Sequence, residues 1–268
     1  MAITTLAGAI AGEQQPVFVT KTETVASVGY WFDYWTDAVN AGTNTTGSAN
    51  GVTYSSSSSQ VAGQFYHVNP ASGNCHLSTM KIRLGAMGTP VSGCALLVDR
   101  LWQGGTYPAT TTASQAITTP TFPARDIAGT TNGDGVVVYM APVTAFTAAT
   151  TVTLTYTNQS GTGSRTSTAV MPNGVAKTVT FFGLQAGDTG IQSIQSVAVS
   201  SAQAAGTYIL AAVRPLLFQL LDTGAKTTCE DAITSGMPRL YDGTVPYLLV
   251  LGQAANSKMG ITYVETVG

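Results

Sequence analysis

The period of side-chain polarity is what most constrains this chain. In VTLTYTNQSGTGSR, residues 152–165, Val152, Leu154 and Tyr156 alternate with Thr153, Thr155 and Thr157. Residues two apart share one face of an extended strand, so this run predicts a half-buried strand with an apolar face and a threonine face. Asn158, Gly161 and Gly163 follow, and these residue types accept the backbone conformations that a reversal demands.

Short runs bounded by turn residues recur along the chain. VAGQFYHVNP, HLSTMKIRLGAM and GCALLVDRLW read as strands in its first half. Asn132-Gly133-Asp134-Gly135 is a turn signal ahead of VVVYMAP. KTVTFFGL, IQSIQSVAVS, GTYILAAVRPLLFQLL, GTVPYLLVLGQ and MGITYVE continue the series. Pro215 interrupts the longest of these, which predicts a buried strand over 207–214 and an apolar connection after it. Ten or more short strands predict an all-β chain, with a β-sandwich or jelly-roll-like body.

The flanking segments read differently. Residues 1–28 contain Pro16 within a weak alternation and predict an extended N-terminal arm or an edge strand lying on something else. The body then covers 29–268, as one sandwich or as two lobes of about 29–145 and 146–268. In YWFDYWTDAVNAG, Tyr30, Trp31, Tyr34, Trp35 and Val39 form a stripe that suits a short helix, while an aromatic strand pair is the alternative. Residues 41–60, rich in Ser and Gly, predict a loop without order of its own. The Pro- and Thr-rich segment 104–128 is too long for a plain hairpin and predicts an ordered excursion packed against a neighbour.

Charge narrows the function classes. Charged residues make up 9% of the chain, against about 25% in an average soluble domain. With 11 Lys and Arg against 13 Asp and Glu, the net charge of −2 offers no basic field for a phosphate backbone. The expectation is no direct nucleic-acid partner. No run of 18 apolar residues marks a membrane helix. The start, MAITTLAGAIAG, lacks the basic region of a secretory signal, which reads as an intracellular start. Cys75, Cys94 and Cys229 are odd in number and read as free thiols, with a Cys75–Cys94 bridge as the alternative.

The sequence carries no complete catalytic signature. His67 and His76 are the two histidines, and neither sits in a nucleophile–base pattern. His76 follows Cys75, but no finger-like ligand spacing surrounds them, so a buried thiol beside a hydrogen-bonded histidine is the reading. Asn132–Gly135 resembles part of a calcium loop without its acidic ligands and reads as a hairpin turn. Asp33 and Asp37 beside the aromatics are the best acid pair for glycoside hydrolysis. Asn44 and Asn158 open glycosylation sequons that read as chance matches. The sequence thus assigns no catalytic, cofactor-binding or metal-binding residue, and the expectation is that the protein is not an enzyme.

Several phrases together carry a resemblance. MAITTLAGAIAG, NPASGNCHL, LVDRLW, TYTNQSGTGSRTS, LQAGDTGIQSIQSV, GTYILAAVRPL and MPRLYDGTVPYLL resemble structural proteins of tailed bacteriophage virions, over most of residues 1–250. The resemblance implies a β-rich protein made in the host cytoplasm and built into the particle as a minor capsid, decoration or vertex component. Its partners would be capsid or other virion proteins and further copies of itself, as a trimer or other closed homo-oligomer. The alternative is a tail, fibre or host-recognition module whose aromatics at 30–35 stack on surface carbohydrate.

Overall fold

The computed structural model describes residues 5–22, 29–33, 48–55, 67, 69–84, 93–221, 227–251 and 258–268. Its regular structure is almost all strand, in sandwich-like layers, so the fold class is all-β and jelly-roll-like as the alternation predicts. The chain divides into two compact units. The first comprises 1–42, 55–98 and 216–268, and the second 43–54 and 99–215. The division is not in chain order, because the strands Gly93–Pro108 and Thr207–Leu221 each carry the chain from one unit into the other.

In the second unit a four-stranded antiparallel sheet runs in the order Gln115–Ala116, Ile191–Val199, Thr150–Asn158, Arg165–Met171. Strand Thr150–Asn158 alternates as its sequence demands, with Val152, Leu154 and Tyr156 fully buried and the threonines between them half-buried. Those three pack in one cluster with Leu101, Trp102 and Tyr107 of Gly93–Pro108, Val138 and Met140 of Val137–Thr144, and Tyr208 and Leu210 of Thr207–Leu221. Side chains from two sheets therefore share one core, the arrangement of a sandwich.

In the first unit Val17–Thr22, Lys258–Val267, Cys75–Leu84 and Thr227–Glu230 form a sheet in that order, and Arg239–Leu240 also pairs Cys75–Leu84. Leu77, Met80, Ile82, Ile261 and Tyr263 of this sheet pack with Ala95, Leu97, Leu217, Leu248 and Val250. Residues 17–22 are thus an edge strand lying on the C-terminal strand. Ahead of them the chain forms a short helix, Leu6–Ala11, started by the Thr5 hydroxyl accepting from Gly8 N–H at 3.0 Å. Gly12 then approaches the C-terminal strand so closely that a Cβ would lie 2.2 Å from the Val267 carbonyl oxygen.

Three local expectations are corrected. Thr207–Leu221 continues as one strand through Pro215, which is exposed. Its pairing with Val137–Thr144 ends at Val213, so the missing N–H of proline falls beyond that ladder. The segment 41–60 is not all loop: Ser48–Thr53 is a strand paired with Gly93–Pro108. Asn50 holds it, its carbonyl accepting from Trp102 Nε1 at 3.0 Å and its side-chain oxygen from Thr118 N–H at 3.0 Å. Trp31–Asp33 is a strand pairing Pro246–Leu251, the aromatic-strand alternative to a helix; the rest of that stretch lies outside the described residues. The expected strand at 61–70 also lies outside them, apart from His67, Asn69 and Pro70.

The core assignment predicts that Leu154→Ala lowers stability by about 2–5 kcal/mol. Thr168→Ala, on the exposed side of the neighbouring strand, costs below about 1 kcal/mol. Denaturant midpoints of the two variants check the contrast.

Candidate functional site

Among the described residues, one continuous surface is the outer side of the four-stranded sheet. Thr151, Thr153, Thr155 and Thr157 point outward from the central strand. They are flanked by Thr166, Thr168 and Val170 on one side and by Ser193, Ser196 and Ala198 on the other. Register sets Thr153 beside Thr168 and Thr155 beside Thr166. None of these ten residues carries a charge, and Val170 is 62% exposed.

At one end of this sheet, on the side of Tyr156 and Asn158 rather than of the threonines, Asp188 collects the nearby polar groups. It accepts from Arg165 Nε at 2.9 Å, Tyr156 Oη at 2.6 Å and Asn158 Nδ2 at 2.7 Å. The Arg165 guanidinium, opposed in part by burial and assisted by Tyr156 and Asn158, holds the Asp188 carboxyl down to about 2. Asn158 is buried, and its side-chain oxygen accepts from Ser160 and Thr162 N–H at 3.0 and 2.9 Å. Its sequon is therefore a turn that caps the strand, and the amide is not free for a glycan.

Inside the second unit lies an ionic cluster. Arg125 donates from Nε to Asp99 at 3.0 Å, from Nη1 to the Tyr54 carbonyl at 3.0 Å and from Nη2 to the Arg100 carbonyl at 2.8 Å. Arg214 Nη2 lies 3.6 Å from the same Asp99 oxygen, and the Arg100 guanidinium stacks 4.8 Å from the Tyr54 ring centre. These groups are all buried. Arg125 thereby ties the 104–128 excursion to its own unit, where Ala109, Ile117 and Phe122 also enter the core.

The Asn132–Gly135 turn is held by Asp126, which accepts from Thr130 Oγ1 at 2.6 Å and from the N–H groups of Ala128, Thr130, Gly133 and Asp134. Burial pushes the Asp126 carboxyl up, but the Thr130, Asp134 and Ala128 hydrogen bonds outweigh it and keep the group below its usual range. Its lone pairs serve a turn. Gly133 has φ +80°, and a Cβ there would lie 2.1 Å from the Ile191 carbonyl oxygen.

The first unit contains a third polar group. His67 Nδ1 lies 2.9 and 3.1 Å from the two Glu265 carboxylate oxygens, and Cys75 Sγ donates to Glu265 Oε2 at 3.4 Å. Burial, and then the adjacent carboxylate, push the Cys75 thiol up, so it stays protonated. The sequence singles out His67, His76 and Cys75 but not their partner, which stands 190 residues beyond Cys75. His76 points away from this group. All three cysteines are free, so no Cys75–Cys94 bridge forms. Asp33 pairs through its backbone with Leu249, while Asp37, Tyr34, Trp35 and Asn44 lie outside the described residues. Tyr30 is exposed and Trp31 half-buried.

No protein-family model matches the chain, and no curated protein sequence matches it. Among solved structures it is similar to the infectious bursal disease virus VP2 subviral particle, at 11% identity, with 95% of this chain and 81% of that chain covered and a TM-score of 0.18. The Gt strain structure of the same virus gives 12% identity, coverage of 96% and 82%, and a TM-score of 0.19. These weakly similar structures are viral ones, and a likeness of this size bears on neither fold nor function.

Two outcomes follow from the polar groups. Arg125→Met leaves Asp99 buried beside fewer hydrogen bonds and lowers stability by about 3–5 kcal/mol, read from thermal or denaturant unfolding. Asp188 is ionised more readily folded than unfolded, so its contribution is complete above the ordinary value of 3.8 and is lost as pH falls toward about 2. The acid limb of a stability profile is accordingly shallower in Asp188→Asn across that window.

Proposed function

We propose that this protein is a structural component of a tailed-bacteriophage particle, a capsid-associated protein of minor capsid, decoration or cement type, which acts by binding the shell and other copies of itself. The observation that carries the reading is the uncharged hydroxyl-lined face of the second unit. A sheet face of Thr, Ser and Val can be covered by protein without stripping water from charges, whose desolvation is the main cost of burying a polar surface. The cores of protein interfaces are likewise depleted in charged residues. The phrase-level resemblance to virion proteins supports the same reading and adds the particle as its setting. A trimer is the proposed state, a closed ring in which this face of each copy meets a second surface of the next.

On this reading the protein is no enzyme and its partners are proteins. Sedimentation velocity over a concentration series gives a discrete oligomer for the native chain. Thr168→Lys places a charge in the middle of the face and repeats it at every copy, where poorly matched charge costs several kcal/mol. Its association weakens by roughly 100-fold or more, while its unfolding midpoint stays near the native value. Equal association of native and variant protein rejects this face as the contact.

A further inference from the structure

We propose that His67, Cys75 and Glu265 form a site for a divalent zinc-like cation inside the first unit. The three donor atoms lie within 4.8 Å of one another, and all three residues are buried. Zinc bonds of about 2.0–2.3 Å to N, O and S set neighbouring ligands of a tetrahedron some 3.3–3.7 Å apart. The separations from Glu265, 2.9 and 3.1 Å to nitrogen and 3.4 Å to sulfur, open slightly to admit the ion, while nitrogen and sulfur, within 4.8 Å of each other, draw in toward it. Imidazole, thiolate and carboxylate together suit zinc, whereas magnesium and calcium prefer oxygen alone. One coordination position remains for water.

The backbone is arranged to make this cluster. Strand Cys75–Leu84 buries Ile82 and Met80 on one side, and a regular continuation would turn Leu77 and Cys75 to the other. A register shift intervenes: Val264 pairs Thr79 but Glu265 pairs Leu77, so Ser78 is an extra residue. This bulge brings Leu77 and Cys75 round to the core side, where Glu265 and Tyr263 also point. Ser78 is itself held, donating to Glu13 Oε1 at 2.9 Å.

The His67 side chain is fully buried, and among the described residues its Nε2 has no hydrogen-bond partner. When the cation takes Nδ1, the nitrogen that faces Glu265, the ring proton moves to Nε2, so the imidazole binds as its neutral form. On binding, a sulfur–metal bond replaces the Cys75 S–H bond and the proton passes to solvent, so uptake of the cation releases acid.

Cobalt(II) is the probe, because a thiolate ligand gives it a near-ultraviolet charge-transfer absorption. The full-length protein, stripped with chelator, takes up one equivalent with that absorption, and zinc displaces it. At zinc concentrations a hundredfold above Kd, Tm rises by about 5–10 °C. Cys75→Ser abolishes the absorption and weakens zinc by more than the roughly 10- to 100-fold that loss of an outer partner costs. Cys94→Ser and Cys229→Ser retain both, which distinguishes this site from the half-buried and exposed thiols. If Cys75→Ser fails to fold, the native protein still decides: no charge-transfer absorption on adding cobalt, or one that persists unchanged in Glu265→Gln and is lost in Cys229→Ser, overturns the proposal.

Discussion

The second unit depends on the buried pairing of Arg125 with Asp99. Arg125 spends its guanidinium on one carboxylate and two backbone carbonyls, satisfying groups from the Gly93–Pro108 strand and from Tyr54, next to the Ser48–Thr53 strand. A buried ion pair of this kind adds little net stability over apolar packing, but it is costly to break, because the survivor is left charged in a medium that cannot solvate it. Its effect is to fix geometry. The long Pro- and Thr-rich excursion has only one place to end, and the core residues it supplies follow from that anchor.

The same constraint shapes the surface. Of 11 basic and 13 acidic residues in the whole chain, Asp99, Arg100, Arg125, Asp126, Arg214 and Glu265 are buried. A chain already poor in charge therefore keeps at least a quarter of it inside, counted over the described residues. What remains outside cannot cover the sheets, and hydroxyl-bearing residues do so instead. The outer face at 150–171 is the clearest product of this distribution. Its one adjacent arginine, Arg165, is drawn onto Asp188.

Much of this architecture is legible in the sequence where the physics is local. The alternation over 152–157 gives a strand and tells which side is buried, because one sheet face is apolar and the other meets water. Elsewhere tertiary contacts override local preference. Ser48–Thr53 looks like loop until Trp102 and Thr118 satisfy Asn50. Pro215 looks like a break until the ladder with Val137–Thr144 is seen to end before it. The Leu6–Ala11 helix has no amphipathic length to announce it and is set by one Thr5 cap and by contact with the C-terminal strand. The His67–Cys75–Glu265 group is the least legible, because a bulge at Ser78 changes the phase of a strand and its carboxylate comes from the far end of the chain. An alternation that slips by one residue, as CHLSTMKIRL does, is the signal that could have pointed to it.

If contact is what this protein does, the neutral face is where it happens. The most direct test is backbone hydrogen exchange in peptides covering 150–171, measured at low and at high protein concentration. The account predicts that exchange in these peptides slows as concentration rises, while peptides from the buried Val137–Thr144 strand, protected in both states, do not change. Exchange at 150–171 that is independent of concentration, in a protein that sediments as an oligomer, would contradict it.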